Sequence, residues 1–324
     1  MKKKGVCAVI VTYNRKDCLK KLLGAIEKQT YFIEGILIFD NNSSDETTTM
    51  LVEKGIIDTV KKNKLVKTNI DKHQYYCYLN AENAGGSGGF YEAIRIAASL
   101  GFDFLWCMDD DVYPEQDCLE KLLCNMSNNS RICIPSRTDT EYIDYAVTDV
   151  NMTNPFKYSI VTRKKMIKNE NIEGNTVKVV DMPFEGPLID SALVREIGLP
   201  KKEFFIIFDD SEYAARACKK TDILYCKDAI LHKQIIPKID KNEIMNWKNY
   251  YGYRNQIWFD RNYGKNVLVR IIRPRLLYLD IVVRAVIKRK YSNIQVIRRA
   301  YKDGIHDNLG KLVEPGTLGK DISL

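Results

Sequence analysis

Apolar residues in the first third of the chain follow two alternating periods. Gly5 to Thr12 (GVCAVIVT) is an almost unbroken β-branched run, as a parallel strand buried on both faces requires. Asn14 offers a helix cap, and Cys18, Leu19, Leu22, Leu23 and Ile26 then recur at helical spacing. Gly35 to Phe39 predicts a second strand, closed by the polar turn Asp40-Asn41-Asn42-Ser43-Ser44-Asp45 and followed by a helix through Leu51. Tyr75 to Leu79 predicts a third strand. The glycine-rich stretch Asn83 to Phe90 comes next, then a helix over Tyr91 to Leu100 and a strand over Phe102 to Met108. This alternation predicts an α/β fold with a mostly parallel central sheet covered by helices on both faces. Beyond Asp111 the pattern loosens. Residues 137–180 are polar and irregular, with short strand-like pieces such as Ser159 to Thr162, and an ordered block follows from Asp181 to His232. From about Asn242 the chain reads as helical and basic. The expected division is a catalytic domain over 1–240, with a donor half 1–112 and an acceptor half 113–240, and a helical basic region over 241–324.

Composition narrows the class. With 45% hydrophobic and 28% charged residues the chain is globular, not disordered. Nine cysteines without a CxxC pair argue against a disulfide framework or a zinc site, and for a reducing compartment. The apolar stretch Val6 to Val11 after Met1-Lys2-Lys3-Lys4-Gly5 is too short for the core of a signal peptide, and no run reaches the ~18 apolar residues that span a bilayer. A cytoplasmic location is therefore expected. The net charge is +8, and from Lys265 to Lys302 Asp280 is the only acid. No nucleic-acid motif or aromatic stacking platform accompanies these cations, which speaks against nucleic acid and for an anionic membrane surface on the inner face of the cell membrane. Val267 to Lys290 is patterned as a helix with Pro274 near its start, and Asp280, Arg284 and Lys288 form one narrow charged stripe. So apolar a helix must be buried in the protein, in a homo-oligomer contact or in a membrane interface.

In open parallel sheets ligands bind beyond the carboxyl ends of the strands. The polar clusters Thr12-Tyr13-Asn14-Arg15, Asp40 to Asp45 and Asp109-Asp110-Asp111 all fall there. Three adjacent carboxylates at a strand end repel one another unless a cation is present, and Mg²⁺ or Mn²⁺ commonly bridges carboxylate to diphosphate. In an extended chain Asp109 and Asp111 would face one side and Asp110 the other. The bland alternative is a solvated acidic turn. The run Gly85-Gly86-Ser87-Gly88-Gly89 precedes a helix but lacks the Lys-Ser/Thr of a P-loop, so a close-packing turn is as good a reading as a phosphate cradle. Phe204 to Phe208 reads as an apolar strand delivering Asp209, Asp210 and Glu212, either as a general base and its neighbours or as the capped start of a helix. His232 closes a strand-like stretch and, beside two acidic strand ends, is a candidate for metal or catalysis.

In this order and spacing, Val9 to Arg15, Asp40 to Asp45, Asn83 to Phe90, Asp109 to Asp111, Phe208 to Tyr213, His232 and Tyr250 to Asn255 resemble the family 2 glycosyltransferases of the GT-A fold. The closer likeness is to their galactofuranosyltransferase-like branch, over about residues 5 to 260. The resemblance implies that Thr12, Tyr13, Arg15, Asp40, Asn83, Gly85, Gly86 and Asp110 bind a UDP-linked donor. It implies Asp109, Asp111 and His232 as ligands of Mn²⁺ or Mg²⁺, Asp210 as catalytic base, and Asp209 and Glu212 as acceptor-orienting groups. The implied reaction is a single inverting displacement onto a glycan or polyprenyl-linked acceptor in surface polysaccharide synthesis. The stretch Pro183-Phe184-Glu185-Gly186-Pro187 has no tryptophan where mycobacterial-type members carry a tryptophan-rich acceptor segment, so a rhamnosyltransferase is the nearest rival. A nucleotidyltransferase would place glycines and a basic residue directly after the first strand, where Thr12-Tyr13-Asn14-Arg15 has no glycine. A non-catalytic nucleotide-binding protein would have no need of the clustered acids.

Overall fold

The computed structural model describes residues 4–138, 142–236 and 244–322. Its strands are β1 (Val6–Thr12), β2 (Gly35–Asp40), β3 (Leu65–Ile70), β4 (His73–Leu79), β5 (Phe104–Asp109), β6 (Val112–Pro114), β7 (Ile132–Ser136), β8 (Tyr145–Val150), β9 (Lys164–Lys168), β10 (Thr176–Val179), β11 (Leu188–Asp190) and β12 (Ile223–Lys233). The helices are α1 (Lys16–Ile26), α2 (Thr47–Glu53), α3 (Gly85–Ser99), α4 (Cys118–Asn125), the single turn α5 (Ile160–Arg163), α6 (Ser191–Ile197), α7 (Asp209–Ala217), α8 (Trp247–Tyr263), α9 (Arg273–Ile287) and α10 (Ser292–Ile305).

Strands line up as β10-β12-β7-β11-β5-β1-β2-β4-β3, with β6 on β12 and a separate β8-β9 hairpin. The centre β5-β1-β2-β4 is parallel, and β7-β12 is parallel again; β3, β10 and β11 run against their neighbours. Successive β1 side chains face opposite sides. Val6, Ala8 and Ile10 pack with Leu19, Leu22 and Leu23 of α1, while Cys7, Val9 and Val11 pack with Phe90, Ala93 and Ile94 of α3. Full burial of each such leucine or isoleucine contributes about 1.5–3 kcal/mol. Register places Thr12 beside Asp40, Asp40 beside Leu79, and Val11 beside Asp109, so four strands end at one edge.

The last third packs α8 against α9 and α10 through Ile257, Leu277, Ile281 and Ile297. It is tied to the 151–163 segment by a wholly buried charge cluster, in which Arg163 and Arg273 both donate to Asp260. No helix among the described residues is long and apolar enough to cross a membrane.

Four expectations change. Phe204 to Phe208 is not a strand: a 3₁₀ turn (Lys202–Phe204) leads into a loop with positive φ at Phe205, Ile207 and Phe208. The loop's carbonyls bond to α8 instead of to a sheet neighbour, because Asn255 Nδ2 donates to the carbonyls of Phe204, Ile206 and Ile207 at 3.1, 2.9 and 2.8 Å. The helix after the glycine run begins at Gly85, six residues before Tyr91, so the glycines form its first turns. Ser159 to Thr162 forms a helical turn, with the Ser159 hydroxyl accepting the Thr162 N–H at 3.2 Å. The Val267 to Lys290 helix is divided into a π-turn (Leu268–Ile272) and α9, which holds Pro274 in its first turn where a missing N–H costs nothing.

Candidate functional site

Asp110 joins the loop after β1 to the loop after β5. Its Oδ2 accepts the Thr12 hydroxyl at 2.7 Å and the Tyr13 N–H at 3.1 Å, and its Oδ1 accepts Arg15 Nη1 at 2.9 Å. The same Arg15 nitrogen lies 2.9 Å from Asp111 Oδ2. Residues 110 and 111 form a turn, so strict alternation of the three carboxylates ends at Asp109 and one guanidinium reaches two of them.

A residue outside the expected set organises the glycine turn. Asn41, at the end of β2, donates to Asn83 Oδ1 at 3.2 Å and to the Gly85 carbonyl at 2.9 Å, and accepts the Ala84 N–H at 2.9 Å. Gly85 has φ +73° and sits so close to the 204–208 loop that a Cβ there would lie 2.1 Å from the Phe205 carbonyl oxygen. Only glycine fits.

These loops enclose a cleft of about 300 Å³. Thr12, Tyr13, Arg15, Asn83, Gly85, Gly86, Asp109 and Asp110 line it. Its far wall comes from Phe205 and Ile206 and from Trp247, Lys248 and Pro315, which sequence reasoning missed because nothing in their local pattern shows that the start of α8 folds back over the sheet edge. A wider groove of about 850 Å³ between α1 and the 113–117 turn is lined by solvated lysines and acids. It receives none of the ends of the parallel strands β1, β2, β4 and β5, so the smaller cleft is the candidate. Asp40 does not line the cleft: wholly buried, its carboxylate accepts the Ser43 N–H at 3.1 and 3.3 Å and shapes the turn from within.

Burial, with Asp111, Glu185 and Asp110 adding like charge, pushes the Asp109 carboxyl well above its ordinary range. Glu185 goes the other way: although burial opposes its ionisation, Arg137 and Lys233 outweigh it, each donating to the carboxylate at 2.8 Å. Arg137 also lines a second pocket of about 170 Å³ with Asp144, Lys164, Asp181, Asp210 and Tyr225. Burial, then repulsion from Asp209 and Asp181, raises the Asp210 carboxyl above the usual carboxylate range, with the Ser211 N–H at 2.6 Å opposing. Asp209, more deeply buried, is raised by the same desolvation.

Two expected site residues have other partners. Both Glu212 oxygens are engaged by Arg216, at 2.9–3.1 Å, and Oε1 also accepts the Tyr263 hydroxyl at 2.6 Å. Glu212 therefore ties α7 to α8. His232 stacks on Tyr113 with ring centroids 4.9 Å apart, and its Nε2 lies 3.3 Å from Glu115. No group of three metal-ligating side chains is gathered among the described residues, so His232 is not brought to Asp109 and Asp111. The two aspartates do fit a hard divalent cation. Asp111 Oδ1 is buried without a hydrogen-bond partner, and Asp109 is crowded by like charge, both conditions that a cation relieves.

Comparison with known proteins agrees with this architecture. The model of glycosyl transferase family 2 matches residues 7–177, just over half of the chain. The galactofuranosyltransferase GlfT1 of Mycolicibacterium smegmatis is 22% identical over 212 residues, covering 65% of this chain and 64% of that protein. Among solved structures, the mannosyltransferase PcManGT from Pyrobaculum calidifontis in complex with GDP-Man and Mn²⁺ superposes with TM-score 0.55 at 12% identity, covering 95% of this chain and 88% of that one. GalNAc-T7 with UDP, GalNAc and Mn²⁺ gives 0.56 at 12% identity, covering 88% and 57%. At these identities the structural likeness shows the GT-A fold, with its mostly parallel sheet flanked by helices.

Proposed function

Because the chain belongs to glycosyl transferase family 2, we propose that its cleft binds a nucleotide-diphosphate sugar and that Asp210 activates an acceptor hydroxyl for direct displacement at the anomeric carbon. The observation that carries this reading is the paired arrangement of carboxylates. A crowded pair with an orphaned oxygen, Asp109 and Asp111, stands at the sheet edge, and a separate carboxylate of raised pKa, Asp210, lines its own pocket.

In this reading Tyr13 and Thr12 border the nucleoside, Arg15 neutralises the acidic turn, and the first amides of α3 together with Lys248 meet the diphosphate. Asp109 and Asp111 would hold Mn²⁺ or Mg²⁺, which when bound offsets charge on the leaving diphosphate. Asp210 accepts the proton of the acceptor hydroxyl. The hydroxyl oxygen bonds to the anomeric carbon as the bond to the diphosphate oxygen breaks, and the configuration inverts. Asp209 keeps its neighbour's pKa high through like charge. The Glu185–Arg137 pair lies between Asp109 and the second pocket, where the acceptor would enter.

The likeness to GlfT1 supports galactofuranose from UDP-galactofuranose as the sugar, and a glycan or polyprenyl-linked acceptor in bacterial surface polysaccharide synthesis. The chain spans 64% of that relative's length. Another hexose or rhamnose is the competing donor. The test is calorimetric binding of UDP-galactofuranose, UDP-galactopyranose, UDP-glucose and dTDP-rhamnose with Mn²⁺ and then with EDTA. Metal-dependent binding of one donor is the expected result, and folded protein that binds none would overturn the reading. Lys248→Ala should weaken that binding about tenfold, as loss of a charge-assisted hydrogen bond does.

A further inference from the structure

The outer face of α9 and its preceding turn carries a run of apolar side chains that none of the described residues covers. Leu279 is 53% exposed, Val283 55% and Ile287 75%, and their spacing of four and eight residues puts them on one stripe of α9, while Leu268 in the preceding turn is 55% exposed. The opposite stripe, Val269, Leu277, Ile281 and Ala285, is buried against the rest of the protein. The sequence offered burial in protein or in a membrane interface as alternatives; the structure assigns the first to one face and leaves the other face open. Arg270, Arg275, Arg284, Lys288 and Arg289 are all exposed along the same element. The only carboxylate from Lys265 to Lys302, Asp280, is already paired with Arg284 at 2.9 Å.

We infer that this face docks the protein on an anionic lipid bilayer, with α9 lying in the plane of the interface, its apolar stripe among the acyl chains and its cations at the headgroups. An apolar stripe flanked by basic side chains is the composition that such a position requires. A second copy of the chain fits poorly. A two-fold contact through this face would set the same cations against themselves, with Asp280 already engaged by Arg284 of its own chain. The inference rests on no part of the donor reading, since none of these residues lines the cleft.

The test is co-sedimentation of the full chain with phosphatidylcholine vesicles, with and without phosphatidylglycerol, at low and high salt. The protein should pellet with the anionic vesicles and be released by salt. Lys288→Gln and Arg289→Gln should each weaken partitioning about fivefold. Val283→Asp with Ile287→Asp should abolish it, while thermal unfolding and nucleotide-sugar binding stay unchanged. The glutamine variants keep the test decisive if the aspartate pair disturbs folding. No pelleting with either vesicle, pelleting indifferent to all four changes, or a dimer in solution that Val283→Asp dissolves would each overturn the inference.

Discussion

Asp210 needs a pKa high enough to take a proton from an alcohol and pays for it in stability. Its carboxyl is raised in the folded state relative to the free chain, chiefly by burial. A carboxyl so raised releases its proton more readily when unfolded, so ionisation favours the unfolded state as pH rises above the ordinary carboxylate range. Asp210→Asn should therefore remove transfer, by about 10²–10⁴-fold, leave donor affinity unchanged, and raise thermal stability at neutral pH. That stability gain should shrink as the medium is acidified to the ordinary carboxylate range. For the native protein, transfer should fall as pH drops through the elevated pKa, because the protonated carboxyl accepts nothing. Full turnover in the asparagine variant would remove Asp210 from this role. Asp111→Ala acts on the other centre and should lower donor affinity in Mn²⁺ but not in EDTA; equal affinities in both media, before and after mutation, would exclude a metal there. The position of Asp109 to Asp111 was legible in the sequence because they directly follow an apolar run that reads as a buried strand. What else Glu212 and His232 meet was not, since Tyr263 reaches Glu212, and Tyr113 and Glu115 reach His232, through tertiary packing.

Among the elements, the parallel strands and α1 were readable from period alone, while the 204–208 loop was not. Its five apolar residues fit a strand, yet they lie where no strand edge is available, and three of them adopt positive φ, a costly conformation for side chains of this size. The compensation lies about fifty residues away. Arg254 donates to the carbonyls of Glu203, Phe204 and Gly310, and Asn255 holds three carbonyls of the loop, those of Phe204, Ile206 and Ile207. This strap positions two things at once, because Phe205 and Ile206 wall the donor cleft and Asp209-Asp210 follow directly. Asn255→Ala leaves the half-buried Ile206 and Ile207 carbonyls without this donor, at a cost of about 0.5–1.5 kcal/mol per hydrogen bond lost. It should thus lower donor affinity and turnover together, unlike Asp210→Asn, which lowers turnover alone. Unchanged affinity with lost turnover in the alanine variant would show that the strap serves the base only.

At the scale of the whole molecule, the helical third is attached to the 151–163 segment by a different kind of contact from those on its own surface. Asp260, Arg163 and Arg273 are out of water entirely, and burial raises the Asp260 carboxyl in spite of both guanidinium groups. Desolvation therefore outweighs attraction, and the cluster fixes geometry more than it adds stability. Removing its one negative charge is another matter, because two buried guanidinium groups are then left facing each other. Asp260→Asn should cost about 3–5 kcal/mol in equilibrium unfolding. The contrast within the same region is Asp280→Asn, which breaks the exposed pair with Arg284 on α9 and should cost only about 0.3–0.5 kcal/mol. Chemical denaturation of both variants measures the difference. Comparable losses would mean that the buried cluster is screened by water, and that α8 and α9 are held to the 151–163 segment mainly by apolar packing through Phe204, Phe259 and Val269.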